Sequence, residues 1–166
     1  MSRQEKKKTL YSKTISTRKV KIPFNLAGSN IDILIKDELA ERLEGRCSNE
    51  GFIKPKSVQI TSYSSGILEG ANIIFDVIFQ CMVCSPVQGM VVKCTIQNIT
   101  KAGIRATIRG EYSPLIIFIA RDHQYNNEYF NSRQEGQDVK VKIIGQRYEL
   151  NDTYISVIGT LVEQKK

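Results

Sequence analysis

The sequence predicts a mainly β chain with one principal helix, an α+β arrangement in two modules, and three observations carry that prediction. Only one segment, Ile31 to Leu43, repeats apolar residues at the three- and four-residue steps of a helix. Most of the rest alternates β-branched and polar residues, or runs apolar as between Asn72 and Cys84. Pro86 and Gly89 then break the pattern, and the charge changes sign with it: residues 22–86 carry net −3 and residues 87–166 net +3. The net charge of +7 equals the surplus in residues 1–21, which hold eight Lys and Arg against Glu5. The expected division is a basic flexible tail at 1–13, a first module at 14–86 and a second at 87–166.

In the first module, Thr14 to Phe24 is rich in β-branched residues and ends at Pro23, which predicts a strand. Gly28, Ser29 and Asn30 supply a turn and a cap for the helix. Asp32 lies in its first turn, where a carboxylate suits the dipole, and Gly45 follows as a stop. Phe52 to Ile60 reads as β structure that Pro55 bends, and Ser64-Ser65-Gly66 marks a turn. In Asn72–Cys84, Phe75, Val77, Phe79, Cys81 and Val83 form one face, and Ile74, Ile78 and Met82 punctuate the other. A central strand buried on both sides is expected.

The second module reads as short strands with turns between them: Met90–Asn98, Ile104–Arg109 after the turn Lys101-Ala102-Gly103, Leu115–Ala120, Val139–Gly145 and Thr153–Val162. A polar excursion, Arg121 to Glu135, separates the third from the fourth. That is the strand order of an OB-fold barrel. Its outward positions combine cations with an aromatic: Lys101 in the first turn, Arg105 and Arg109 on the second strand, Phe118 on the third, Lys140 and Lys142 on the fourth. Phosphate attraction and base stacking together suit single-stranded nucleic acid.

Other chemistry has little support. The one histidine, His123, has no nucleophile placed beside it by any motif, and no phosphate-cradling glycine loop or two-metal carboxylate cluster is present, so no enzyme is expected. Cys81 and Cys84 have zinc-knuckle spacing, but Cys47, Cys94 and His123 are too scattered to complete a site. Neither a metal nor a cofactor is expected. The uncharged run Val77–Val92 is interrupted by Gln80, Ser85, Pro86, Gln88 and Gly89 and predicts no spanning helix. No apolar stretch follows Arg3, Lys6, Lys7 and Lys8, so an intracellular chain with reduced thiols is expected.

Val87-Gln88-Gly89-Met90-Val91-Val92, Lys101-Ala102-Gly103-Ile104-Arg105-Ala106 and Glu135-Gly136-Gln137-Asp138-Val139-Lys140-Val141-Lys142 resemble the S1-type RNA-binding barrel. Upstream, Leu43-Glu44-Gly45-Arg46-Cys47, Gly51-Phe52-Ile53, Gly66-Ile67-Leu68-Glu69-Gly70 and Cys84-Ser85-Pro86-Val87-Gln88-Gly89 extend the match. Together, from about residue 15 to the end, they resemble the stalk subunit of multisubunit RNA polymerases, the seventh subunit of eukaryotic polymerase II and its archaeal counterpart.

The resemblance implies an RNP-like tip module followed by an S1-type OB barrel, with no catalytic activity. The tip would dock on the polymerase core through loops at Gly51, Phe52, Ser64, Ser65 and Gly66. The barrel would meet emerging single-stranded RNA, a smaller helical subunit would pack alongside, and the subunit would support transcription initiation. The alternative is a free-standing S1-type RNA-binding protein of translation or RNA decay. Two departures stand out. Ala102 and Arg105 occupy positions that are aromatic in typical barrels of this type, which implies weak RNA affinity, and the basic stretch before Thr9 has no counterpart in the family pattern. Richness in Ile, Lys and Asn points to a large DNA virus as the source. The location implied is the host cytoplasm or virion for a viral protein, or the nucleus for a cellular one.

Overall fold

A computed structural model describes residues 10–108, 113–124 and 127–163. The chain divides between Cys84 and Ser85 into two units. The first contains β1 (Tyr11–Pro23), α1 (Ile31–Leu43), β2 (Cys47–Ser48), β3 (Gly51–Ile53), β4 (Gln59–Tyr63), β5 (Ile67–Glu69) and β6 (Asn72–Cys84). β1 starts at Tyr11, so Tyr11, Ser12 and Lys13 belong to the sheet and not to a flexible tail. The strand ends at Pro23, as expected, and Phe24 opens a short 3-10 turn.

β6 organises this unit. All thirteen of its residues pair antiparallel with β1, from Tyr11 opposite Cys84 to Pro23 opposite Asn72. Its other edge is shared in succession by β3 (Phe52 opposite Cys84), β4 (Gln59 opposite Gln80) and β5 (Ile67 opposite Ile74). The segment expected as one bent strand, Phe52 to Ile60, is split. β3 ends at Ile53, and a turn containing Pro55, with Lys56 in the left-handed region at φ 62°, leads to β4.

Helix α1 covers one face of the sheet. Its buried Ile35 and Leu39 join Val20 and Ile22 of β1 and Phe75, Val77, Phe79, Cys81 and Val83 of β6 in the core. The opposite face is open over most of its length, where Ile78 is 40% exposed and Ile74 and Met82 are half-buried, and is closed only at its Cys84 end, where Tyr11, Phe52 and Cys84 are buried. The expectation of burial on both sides is therefore corrected. An apolar residue at alternate strand positions reports what a face tolerates, and this unit has one helix for two faces.

The second unit holds β7 (Val91–Ile99), β8 (Gly103–Thr107), β9 (Leu115–Ala120), the short helix α2 (Glu128–Asn131), β10 (Asp138–Arg147) and β11 (Ile155–Val162). These strands form a closed five-stranded barrel in the order β10-β11-β9-β8-β7, with β11 parallel to β9. Inward residues alternate along much of its strands, as in Ile104 and Ala106, Ile117 and Ile119, and Val139, Val141 and Ile143, all buried, with the alternation interrupted by register shifts after Ile96 of β7 and Ile143 of β10. The polar excursion is not structureless, because Asn127 caps α2 by accepting from the backbone N–H groups of Tyr129 and Phe130.

All four cysteines are buried thiols. Cys81 points into the core beneath α1, whereas Cys84, three residues on, falls on the other side of the sheet. Burial, with Asp138 nearby, pushes the Cys94 thiol up to about 12. Among the described residues no helix is long and apolar enough to cross a membrane.

Single-face burial of β6 makes a direct prediction. Phe79→Ala costs about 3–5 kcal/mol of stability, whereas Ile78→Ala on the uncovered face costs less than about 1 kcal/mol. Urea unfolding of the two variants measures both, and equal losses would mean that both faces are buried.

Candidate nucleic-acid interface

β8 and β9 pair so that Arg105 lies directly opposite Phe118, both pointing outward from the barrel. Phe118 is 36% exposed, unusual for an aromatic in the middle of a strand, and faces exposed Ile158 across the parallel β9–β11 ladder. Gly103 makes this arrangement possible. It sits at φ 155°, and a Cβ there would fall 2.1 Å from the carbonyl oxygen of Ile119 and 3.1 Å from the Phe118 ring. The ring thus lies over bare backbone, where no other residue fits.

The turn carrying Lys101 is held from outside. The Arg121 guanidinium donates to the carbonyls of Thr100 (3.0 Å) and Lys101 (3.1 Å), and its central carbon lies 5.2 Å from the ring centre of buried Phe130 on α2. The Arg121 backbone N–H donates to the Ala102 carbonyl at 3.0 Å. Arg121 therefore fixes the β7–β8 turn, in which Lys101 is exposed, against the excursion. Sequence reading missed Arg121, since its carbonyl acceptors leave no side-chain pattern. It also missed Tyr154, exposed in the β10–β11 loop just before Ile155, which pairs with Leu115 at the start of β9.

Lys140 and Lys142 lie elsewhere on the barrel. Lys140 is opposite Lys93 of β7, and Lys142 opposite Val91. Asn98, the β7 partner of Arg105, is five residues from Lys93, about 16 Å along the strand. The six residues thus do not form one cluster. Arg105 and Phe118 share a face, Lys101 lies in the turn that leads into β8, Lys140 and Lys142 gather with Lys93, and Arg109 lies outside the described residues. Like charges directly opposed on a sheet are unfavourable, and Asp138, whose carboxylate accepts from the Thr95 hydroxyl at 2.6 Å, relieves the lysine set at one end only.

The five expected docking residues also separate. Phe52 pairs with Cys84 at the end of β6 and Gly51 with Ser48 of β2, while Ser64 is anchored at Asp76, eight residues from Cys84 or about 26 Å, by its N–H to the Asp76 carbonyl and its hydroxyl accepting from the Asp76 N–H. Phe52 is fully buried and Gly51 is packed so tightly that a Cβ would lie 2.4 Å from the Cys84 carbonyl oxygen, so neither offers a side chain to a partner. Ser64, Ser65 and Gly66 are exposed.

Glu50, at the turn between β2 and β3, ties the Gly51–Phe52 segment to β1. Its carboxylate accepts from Arg18 at 3.1 Å, from the Ser16 hydroxyl at 3.3 Å and from the Ser48 hydroxyl at 2.8 Å. Partial burial alone would raise its pKa, but the Ser48 bond, its own backbone N–H and the Arg18 charge outweigh that, and the carboxyl titrates below its ordinary value.

No protein-family model matches the sequence. The chain is similar to a protein of Acanthamoeba polyphaga mimivirus that bears the name "Putative DNA-directed RNA polymerase subunit", at 26% identity over 172 residues that cover 93% of this chain and 83% of that protein.

Because the Glu50 pKa is lowered on folding, its contribution is present above the unfolded carboxylate value and is lost as pH falls through the folded one. Glu50→Gln should therefore destabilise at neutral pH and become indistinguishable from the parent protein in acid. Thermal unfolding across a pH series reads this, and a penalty that persists at low pH would assign Glu50 a packing role.

Proposed function

We propose that this protein is a non-catalytic subunit of a DNA-directed RNA polymerase. In this reading the module at 14–86 is the RNP-like tip that docks on the core, and the module at 87–166 is an S1-type OB barrel that contacts emerging single-stranded RNA in support of initiation. The observation that carries the reading is the likeness to the viral protein, which spans 93% of the chain and so includes both units. A free-standing RNA-binding protein would need to share only the barrel. The smaller helical subunit implied by the stalk resemblance belongs to the same proposal, as does a location inside the cell where the polymerase works.

The barrel face supports an RNA role in a narrower form than the sequence suggested. In barrels of the OB type, ligands meet the second and third strands and the adjoining loops, here β8 and β9, which carry Arg105 and Phe118, and the turn before β8, which carries Lys101. Phe118 supplies a stacking surface and the Arg105 guanidinium a cation that can also stack. With a single aromatic on that row, binding is weak. It has little sequence preference, since phosphate contact and stacking read no base edges. Lys140 and Lys142, remote from that row, act as phosphate contacts farther along the strand of RNA.

Two outcomes follow. The tagged full-length chain recovers the large polymerase subunits from its native source, and so does the Arg105→Ala, Phe118→Ala double variant; a wild-type chain that comes back alone would remove the reading. In oligouridine titrations, Phe118→Ala loses about 1–3 kcal/mol with the salt slope unchanged. Lys140→Ala with Lys142→Ala shallows the slope by about 1.4, at roughly 0.7 per phosphate contact. The controls delete residues 1–9 and no more, because β1 starts at Tyr11. Binding that vanishes with that deletion and ignores the barrel variants would assign RNA contact to the N-terminal segment.

A further inference from the structure

The uncovered face of the first unit's sheet forms an ordered grid. Along β1 it presents Lys13, Ile15, Thr17, Lys19 and Lys21, and along β6, directly opposite, Met82, Gln80, Ile78, Asp76 and Ile74. β5 adds Ile67 opposite Ile74, and β4 adds Gln59 opposite Gln80, bonded to it through their side chains at 2.7 Å. Ile15 and Ile67 are each 67% exposed. Lysines on β1, the strand at the end of the sheet, are ordinary guards against edge pairing. That role does not account for the isoleucines between and beside them, Ile15 diagonal to Ile78 toward one end and Ile74 opposite Ile67 toward the other, with the Lys19–Asp76 pair between them.

At the Lys13 end the face deepens into a cavity of about 380 Å³ lined by Lys13, Lys54, Lys56, Ser57, Gln59 and Gln80. Its wall is prebuilt. The Lys54 N–H donates to the Met82 carbonyl at 2.9 Å, the Ser57 hydroxyl accepts from the Met82 N–H at 3.2 Å, and the Lys54 ammonium lies 5.1 Å from the ring centre of Tyr11. Lys56 holds its left-handed conformation in this wall, a strained state for a non-glycine residue. Five lysines thus flank the grid, against two acidic residues on the same face, Asp76 opposite Lys19 and Glu69 at the end of β5.

We propose that this face docks an acidic, aliphatic segment of a partner protein, with isoleucine and methionine meeting its apolar side chains and the lysines its carboxylates. The grid holds no exposed aromatic, so it lacks the stacking surface that single-stranded RNA requires. The chain's own first nine residues carry four basic side chains and one acidic, so their charge does not complement the lysines of this face. The proposal rests on the polymerase reading only for the assembly in which the partner resides. It moves core contact from the buried Gly51–Phe52 strand to the open sheet.

The test uses the full chain with methyl-labelled Ile and Met and three probes: an amphipathic peptide of Glu, Leu and Ala, its twin with every Glu replaced by Lys, and oligouridine. The Glu peptide should shift the methyl signals of Ile15, Ile74, Ile78 and Met82, and the Lys twin should not. Lys13→Glu, Lys19→Glu and Lys21→Glu together should weaken the Glu peptide about tenfold, as three exposed charge pairs turned repulsive. Unmoved methyls, equal binding of the twin, or the same shifts with oligouridine would each overturn the proposal, the last in favour of nucleic acid. The triple variant should also lose the polymerase subunits that the wild type recovers. If it retains them, the docking surface is wrong while the polymerase reading stands; if the wild type recovers none, that reading falls and the peptide result judges the surface by itself.

Discussion

The first unit depends on the thirteen-residue pairing of β1 with β6. With one edge committed to β1 from end to end, β6 has a single edge left, and the chain between α1 and β6 returns to it three times as β3, β4 and β5. Polar backbone groups along β6 thereby gain partners without a full-length third strand. The same pairing decides burial. The register places Val20 and Ile22 beside Phe75 and Ile73 under α1, and so sends Ile15, Lys19 and Lys21 to the side that no helix covers. The proposed docking surface is thus a consequence of the register that builds the core.

The barrel solves a different problem. Closure leaves no strand edge to protect, so cationic and aromatic side chains outside it are free from that duty. Phe118 keeps a large apolar surface in water, held over Gly103 and between Arg105 and Ile158. Arg121 fixes the neighbouring turn through backbone carbonyls, so Lys101 is presented from a rigid base. A site organised this way loses little further freedom on binding, which partly offsets its shortage of aromatics.

Much of the fold is legible from local pattern alone. α1, β6 and β9 match the expected segments, because helical steps ending before Gly45, a run ending before Pro86 and an apolar stretch between Pro114 and Arg121 mark them by composition. What is not legible depends on partners distant in sequence. Glu50 reads as one acidic residue in a turn until Arg18 and Ser16 are brought to it by the sheet. Phe52 after a glycine resembles a loop tip, yet its place opposite Cys84 buries it. Alternation marks the strand cations as outward-facing, but periodicity gives the face of a strand and not its position around a barrel. For that reason sequence pattern joins Lys140 and Arg105 in one site that the structure divides.

The central claim is a division of labour, with the first unit's open sheet on the polymerase and the β8–β9 face of the barrel toward RNA. Cross-linking within a transcribing complex, with a photoreactive uridine placed along the emerging transcript and a lysine cross-linker in the same sample, tests it most directly. The account predicts RNA adducts in the β8–β9 region around Arg105 and Phe118, and protein cross-links from Lys13, Lys19, Lys21 or Lys54 to polymerase subunits. RNA adducts on the lysines of β1, or polymerase cross-links confined to Lys101, Lys140 and Lys142, would contradict it.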